Sequence, residues 1–175
     1  MPTVISHAIV PLTVAVAAGL KRIPPRTALA GMLLAMLPDI DVIGFRFGVS
    51  YDSAWGHRGA MHSLAMSAAL VFGIAGLIPA LRRGWSIPFL LFAAASHGLI
   101  DMLTDGGLGV ALFWPLDVTR YFAPWRPIRV SPIGARFFTS RGMGTAISEL
   151  RWIWLPCFLV AVSALLLRRF HRQSR

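Results

Sequence analysis

The stretch HRGAMHSLAMSAALVFGIAGLIPAL, residues 57–81, decides what kind of chain this is. From Gly59 to Leu81 it contains no Asp, Glu, Lys or Arg, and an apolar run of about 20 residues is what a helix needs to cross about 30 Å of hydrocarbon. Four further apolar runs are uncharged or nearly so: Thr3 to Leu20, Thr27 to Phe45, Ser86 to Leu103 and Trp152 to Leu167, the last a little short. The expectation is an all-α integral membrane protein with about five transmembrane helices. Residues 1–175 form a single domain in this reading, with one long outer interfacial loop at about 104–148.

Composition agrees. Hydrophobic residues make up 56% of the chain and charged residues 14%, against about 45–50% and about 25% in soluble domains, and the mean hydropathy is +0.66. Met1 to Ser6 carries no basic residue, so the first run is expected to be retained rather than cleaved as a signal. Cys157, the only cysteine, lies inside the last run and can form no disulfide within the chain.

A net charge of +10 would point to nucleic acid in a soluble protein, but here the bases sit at the ends of apolar runs. No nucleic-acid partner is expected; membrane lipids are. Alternating the five runs puts Lys21, Arg22, Arg26, Arg82, Arg83, Arg168, Arg169, Arg172 and Arg175 on one side with no acid. The other eight of the 17 bases, and all seven acidic residues, fall on the opposite side. Short basic loops stay cytoplasmic, so the N-terminus is expected outside and the C-terminus inside. The outer loop mixes Trp114, Tyr121, Phe122 and Trp125 with Arg120, Arg126 and Arg129. That mixture suits the headgroup layer, either as a structural flap or as a lid recognising anionic headgroups.

Against this background the polar residues stand out, because Asp at the centre of a spanning helix costs about 2.5–3.5 kcal/mol on insertion scales. His7 lies in the first run, Asp39 and Asp41 near the end of the second, His57 and His62 at the start of the third, His97 and Asp101 at the end of the fourth, and Glu149 just before the fifth. On the alternating topology all of them converge on the outer face. Four histidines and several carboxylates at one depth suit a divalent metal, since imidazole nitrogen and carboxylate oxygen are ligands for zinc and similar ions. The competing reading is a buried polar network that only holds helices together. His97 and Asp101, spaced i, i+4, share a helix face. His57 and His62 are about 140° apart on a helix, so one of them belongs to the loop before it, and Asp39 and Asp41 require either an unwound end after Pro38 or separate roles.

These motifs, Ser6-His7, LPDID at 37–41, GHRGAMHSL at 56–64, SHGLIDMLTDGG at 96–107, a Trp114-Pro115 loop and a late Glu149, resemble those of the YdjM-type bacterial membrane-bound metal-dependent hydrolases, in the family's order. The resemblance implies a multi-pass protein of the bacterial inner membrane with a divalent-metal site. The matching positions are His7, Asp39, Asp41, His57, Arg58, His62, His97, Asp101 and Glu149. Met61 departs from the family, which commonly has Thr before the second histidine. The HxxxD pair His97 and Asp101 is also distantly similar to that of the zinc-dependent phospholipases C, but the later histidine ligands of those enzymes have no match here.

The leading expectation is a hydrolase using one or two divalent ions, zinc first, on a phosphoester of a lipid or lipid-linked substrate at the outer face. Metal ligands are expected among His7, Asp39, Asp41, His57, His62, His97 and Asp101. Asp41 or Glu149 is the expected general base, and Arg58 either grips phosphate by a bidentate contact or pairs with Asp52 or another carboxylate. The alternatives are a non-catalytic metal-binding or transport protein and a purely structural membrane protein. Transport is disfavoured because the inner halves of the runs carry almost no polar residue beyond Ser and Thr.

Overall fold

The protein is described by a computed structural model covering residues 1–132 and 134–173. Arg175 and the Arg172 side chain, both counted among the inner bases, lie outside what is described. Helix α1 spans Val4–Ala18 and α2 Pro25–Met36, the latter opened by a proline whose fixed φ suits the first helical position. At Pro38 the chain tightens into a 3-10 segment, Leu37–Phe47. A turn-rich stretch leads to a short 3-10 turn, Ala60–His62, and to α3, Leu64–Leu77, whose cap Ser63 accepts a hydrogen bond from the Met66 N–H at 3.1 Å. Helix α4 is Ser86–Met102. After the long connection, α5 (Ser140–Glu149), a π turn (Leu150–Trp154) and α6 (Leu155–Gln173) run on without a break.

All five apolar runs are helical, and no strand occurs among the described residues. Two helical stretches, Pro25–Phe47 and Ser140–His171, are long and apolar enough to cross a membrane. Helices α1, α3 and α4 have 15, 14 and 17 residues, about 21–26 Å at 1.5 Å per residue. The long connection ends sooner than expected, because α5 begins at Ser140 and takes up its last nine residues before Glu149. SRGMGTAISE is small and polar rather than apolar, so a search for hydrophobic runs passes over it. Glu149 therefore lies inside a helical stretch of 32 residues, not ahead of it.

Helices α1, α2 and α4 pack on one another, α3 lies against α4, and α6 lies against α1. Their core joins Ala15, Leu34, Val71, Phe89, Leu90 and Ala94. The outward side of α6 is apolar and open, with Phe158, Leu159, Val160 and Leu165 to Leu167 all 50–63% exposed; on a membrane protein such a face is solvated by acyl chains.

The connection between α4 and α5 is a packed cap. Val110 and Tyr121 exchange both backbone hydrogen bonds at 2.9 Å, Asp105 N–H donates to Ile128 O at 2.9 Å, and Val110, Ala111 and Ile128 are buried. Arg120, expected among the headgroup-facing bases, turns inward. Its guanidinium donates to His57 O and Ser53 O at 2.9 Å and to Tyr51 O at 3.2 Å, clamping the stretch that carries His57. The Asp105 carboxylate is part of the same cap, accepting the Val130 N–H at 2.8 Å.

Candidate metal centre

Four parts of the chain bring side chains to one point: α1 supplies His7, the 3-10 segment after α2 supplies Asp39 and Asp41, the stretch before α3 supplies His57, Arg58 and His62, and α4 supplies His97 and Asp101. Both His57 and His62 precede α3, so neither is bound by its helical spacing. In a 3-10 helix, at three residues per turn, side chains two apart diverge by about 120°, and Asp39 and Asp41 accordingly face different partners.

The centre is nearly sealed, with His7, His97 and Asp101 at 0%, His62 at 2% and Asp39 at 4% exposure. Asp39 Oδ1 lies 3.4 Å from His97 Nε2 and 3.7 Å from His62 Nε2; Asp101 Oδ2 lies 3.5 Å from His62 Nε2. His7 Nε2 stands 3.6 Å from Asp101 Oδ1 and 3.9 Å from Asp39 Oδ2, and its ring stacks on His97 with centroids 3.8 Å apart. Ligand atoms of Asp39, His62, His97 and Asp101 all fall within 4.8 Å of one another, and Asp41, His57 and His62 form a second such group.

An outer partner settles the His97 tautomer. His97 Nδ1 hydrogen-bonds the Ala35 carbonyl at 2.7 Å, one of the carbonyls that the end of α2 leaves free, so its Nε2 presents a lone pair inward. His62 Nδ1 faces Asp41 Oδ2 at 3.2 Å without a hydrogen bond, and its Nε2 lies toward Asp39 and Asp101. The His97 Nε2 lone pair then confronts the Asp39 Oδ1 carboxylate oxygen at 3.4 Å. That arrangement is repulsive unless a cation lies between, and tetrahedral zinc with ligands at about 2.0–2.1 Å places its donors about 3.3–3.5 Å apart. The same conclusion follows from satisfaction. Among the described residues ten buried side-chain N and O atoms lack a hydrogen bond, and every one belongs to His7, Asp39, Arg58, His62, His97 or Asp101. Folded proteins rarely leave buried polar atoms unpaired without an ion or a water to satisfy them, so the residues fit a divalent metal.

Asp41 belongs to the layer behind this centre. Its Oδ1 accepts from His57 Nδ1 at 2.7 Å and its Oδ2 from the Arg58 backbone N–H at 3.3 Å, besides facing His62. Arg58 takes the second of its two expected roles, with Asp101 and not Asp52 as the carboxylate. Its Nε lies 3.0 Å from Asp101 Oδ2, off-line and hence an ionic contact, while the rest of the fork donates to Gly106 O at 2.8 Å and Thr104 Oγ1 at 2.9 Å. At 0% exposure with every limb of the fork engaged, it has no edge left for phosphate. Its φ of 65° is the left-handed conformation that non-glycine residues adopt at a cost, usually where surrounding contacts over-determine it.

Glu149 also departs from expectation. Its Oε1 accepts the Thr3 N–H and its Oε2 the Thr3 and Ser6 hydroxyls, each at 2.6 Å, so its acceptors are taken up by the N-terminus of α1, and it is not placed to act as a general base. A carboxylate there is favoured by the helix dipole. The following π turn swings Trp154 round to donate to Ser6 Oγ at 2.8 Å. Together they hold the turn of α1 that carries His7.

Sequence reasoning missed the Ala35 carbonyl, Thr104 and Tyr51. Thr104 was findable, one turn after Asp101 in DMLTDGG; Ala35 was not, because a backbone carbonyl carries no sequence signal. Tyr51 stacks edge-on with His57 at 5.4 Å, and burial pushes its hydroxyl above the ordinary tyrosine range. Gly98 matters for another reason: a Cβ there would stand 2.5 Å from the His62 carbonyl oxygen. Gly98→Ala is expected to force α4 away from His62, costing about 1–3 kcal/mol as overpacking does and lowering metal affinity with it. Thermal unfolding with and without added zinc checks this.

A family profile described as YdjM inner membrane protein matches residues 1–173. The chain is 45% identical, over 166 residues, to the inner membrane protein YbcI of Escherichia coli (strain K12), an alignment covering 91% of this chain and 95% of that one. No solved structure matches.

Proposed function

The chain belongs to the YdjM inner membrane protein family, and from that premise we propose that it is a metal-dependent hydrolase cleaving a phosphoester of a lipid or lipid-linked substrate at the non-cytoplasmic membrane face. An inner-membrane location comes with the family. The five apolar helices are taken to cross the bilayer, with the N-terminus outside and the C-terminus cytoplasmic. The observation that carries the reading is that, among the described residues, nine of the ten unpaired buried polar atoms belong to one His/Asp group and the tenth to the Arg58 guanidinium against it.

His7, Asp39, His62, His97 and Asp101 would hold the ion, zinc being the best match to this donor set. A divalent ion supplies Lewis acidity there, polarising a phosphoryl oxygen and making a water acidic near neutral pH. The general base passes from Asp41 or Glu149 to His57. Asp41 fixes the His57 Nδ1–H through the 2.7 Å hydrogen bond, which leaves Nε2 to take a proton from water, the orienting-carboxylate arrangement common to activated histidines. The water oxygen adds to phosphorus, the P–O bond to the alcohol breaks, and the proton held on His57 passes to the departing oxygen. Arg58 holds Asp101 in place through its 3.0 Å contact.

Asp41→Asn, which removes the carboxylate behind both His57 and His62, is expected to lower turnover about 10–100-fold at saturating metal. The assay is release of phosphorylated headgroup from mixed phospholipid vesicles by the purified full chain, followed by phosphorus NMR. Turnover equal to the parent's in Asp41→Asn would remove the Asp–His pair from the mechanism. The closure of the centre supports a second reading, a metal held without turnover; parent protein that binds zinc yet releases nothing from any vesicle tested would establish it.

A further inference from the structure

At the end opposite the metal centre, the last turns of α1 and α6 line a cavity of about 960 Å³, near the top of the roughly 300–1,000 Å³ range of ligand pockets. Ala15, Ala18, Leu20 and Leu165 give it an apolar floor, and Lys21, Arg22, Arg168 and Arg169 line its rim. Every acidic residue of the chain lies at or before Asp117 or at Glu149, toward the other end of these helices. No carboxylate pairs with the four rim cations among the described residues. Arg168 is committed to the fold: it donates to the Val16 carbonyl, and Gly19, at positive φ, leaves room for its guanidinium. Lys21, Arg22 and Arg169 are exposed. Two helix C-termini meet here, each a partial negative charge, yet the cations outnumber what one carbonyl contact requires.

We infer that this cavity binds one anionic phospholipid, its phosphate on Lys21, Arg22 and Arg169 and its acyl chain along the apolar floor between α1 and α6. The occupant follows from the combination of unpaired cations with an apolar floor that continues into the exposed Leu165 to Leu167 face of α6. Free phosphate would use only the rim. Basic pockets between membrane helices recognise anionic headgroups in this way. The bound lipid would tie the α1–α6 pair at this end as Glu149 ties it at the other.

The test uses the full chain, purified in a neutral detergent with chelator present so that the metal centre turns nothing over. Dioleoyl phosphatidylglycerol or phosphatidylcholine is added, and retained lipid is counted by native mass spectrometry, with unfolding temperature as a second readout. One retained phosphatidylglycerol, a raised unfolding temperature and no retention of phosphatidylcholine are expected. The Lys21→Gln/Arg22→Gln/Arg169→Gln variant is expected to weaken retention by roughly two orders of magnitude, a factor of about five for each cation removed. Arg141→Gln, in the first turn of α5 at the other end, should retain lipid as the parent does. Equal retention of the two lipids, unchanged retention in the triple variant, or inorganic phosphate raising the unfolding temperature as much as the lipid would each overturn the inference.

Discussion

Replacing His97 by alanine is expected to strip the protein of its divalent ion. His97 Nε2 is one of the inward donors of the centre, held in its tautomer by the Ala35 carbonyl at 2.7 Å and facing Asp39 Oδ1 at 3.4 Å. Changes in the layer behind a metal typically cost 10–100-fold in affinity, so removing a ligand itself should cost more than about 100-fold. The measurement is elemental analysis of parent and variant after dialysis against a weak chelator, joined to unfolding curves with and without zinc. An ion present at 100 times its dissociation constant stabilises the folded state by about 2.7 kcal/mol; the parent should show a gain of that order and His97→Ala almost none. A parent that purifies without metal and is indifferent to added zinc, manganese and magnesium would leave the centre as a polar network and end the case for catalysis.

Arg58→Ala is expected to have the largest effect on folding. Among the described residues the guanidinium is the only side chain in ionic contact with Asp101 that is charged whatever the state of the histidines, and both side chains are at 0% exposure. Removing one member of a buried pair leaves an uncompensated charge, at about 3–5 kcal/mol. Arg58→Lys keeps the charge but cannot also reach Thr104 Oγ1 and Gly106 O, so it should fall between parent and Ala, because Lys lacks the planar fork. Arg58→Gly should unfold somewhat less readily than Arg58→Ala, by up to about 1 kcal/mol, since glycine is at ease at a φ of 65°. Reversible unfolding in mixed micelles checks the series. An Arg58→Ala protein within about 1 kcal/mol of the parent would show that Asp101 is neutralised by something other than Arg58.

How much of this was legible in the sequence differs from residue to residue. His97 and Asp101 were readable as a pair, because i, i+4 spacing survives in any regular helix and α4 is regular through both. Asp39 and Asp41 were readable only as a pair needing explanation; Pro38 marked the place where α2 gives way, but which carboxylate faced the His/Asp centre depended on the 3-10 turn that follows. Glu149 was misassigned as a base because its distance along the chain from Thr3, 146 residues, conceals that the two touch. Arg120 was misassigned to the headgroup layer for the same reason, its three acceptors lying more than 60 residues upstream.

By itself the sequence determined that this chain is helical and apolar enough for a membrane, and that four of its five histidines and its carboxylates gather toward one end, His171 in the basic tail standing apart. Both follow from solvation: hydrocarbon accepts only self-satisfied backbone, and it expels charge from the middle of a span. Which atom of each ring points inward, which carboxylate stands behind rather than beside the ion, and what Arg58 and Glu149 hold were decided only when α1, α2 and α4 crossed. Those choices are set by the rotation of each helix about its axis and by backbone groups 60 or more residues away, such as the Ala35 carbonyl that fixes His97, and neither leaves a mark in local spacing or composition.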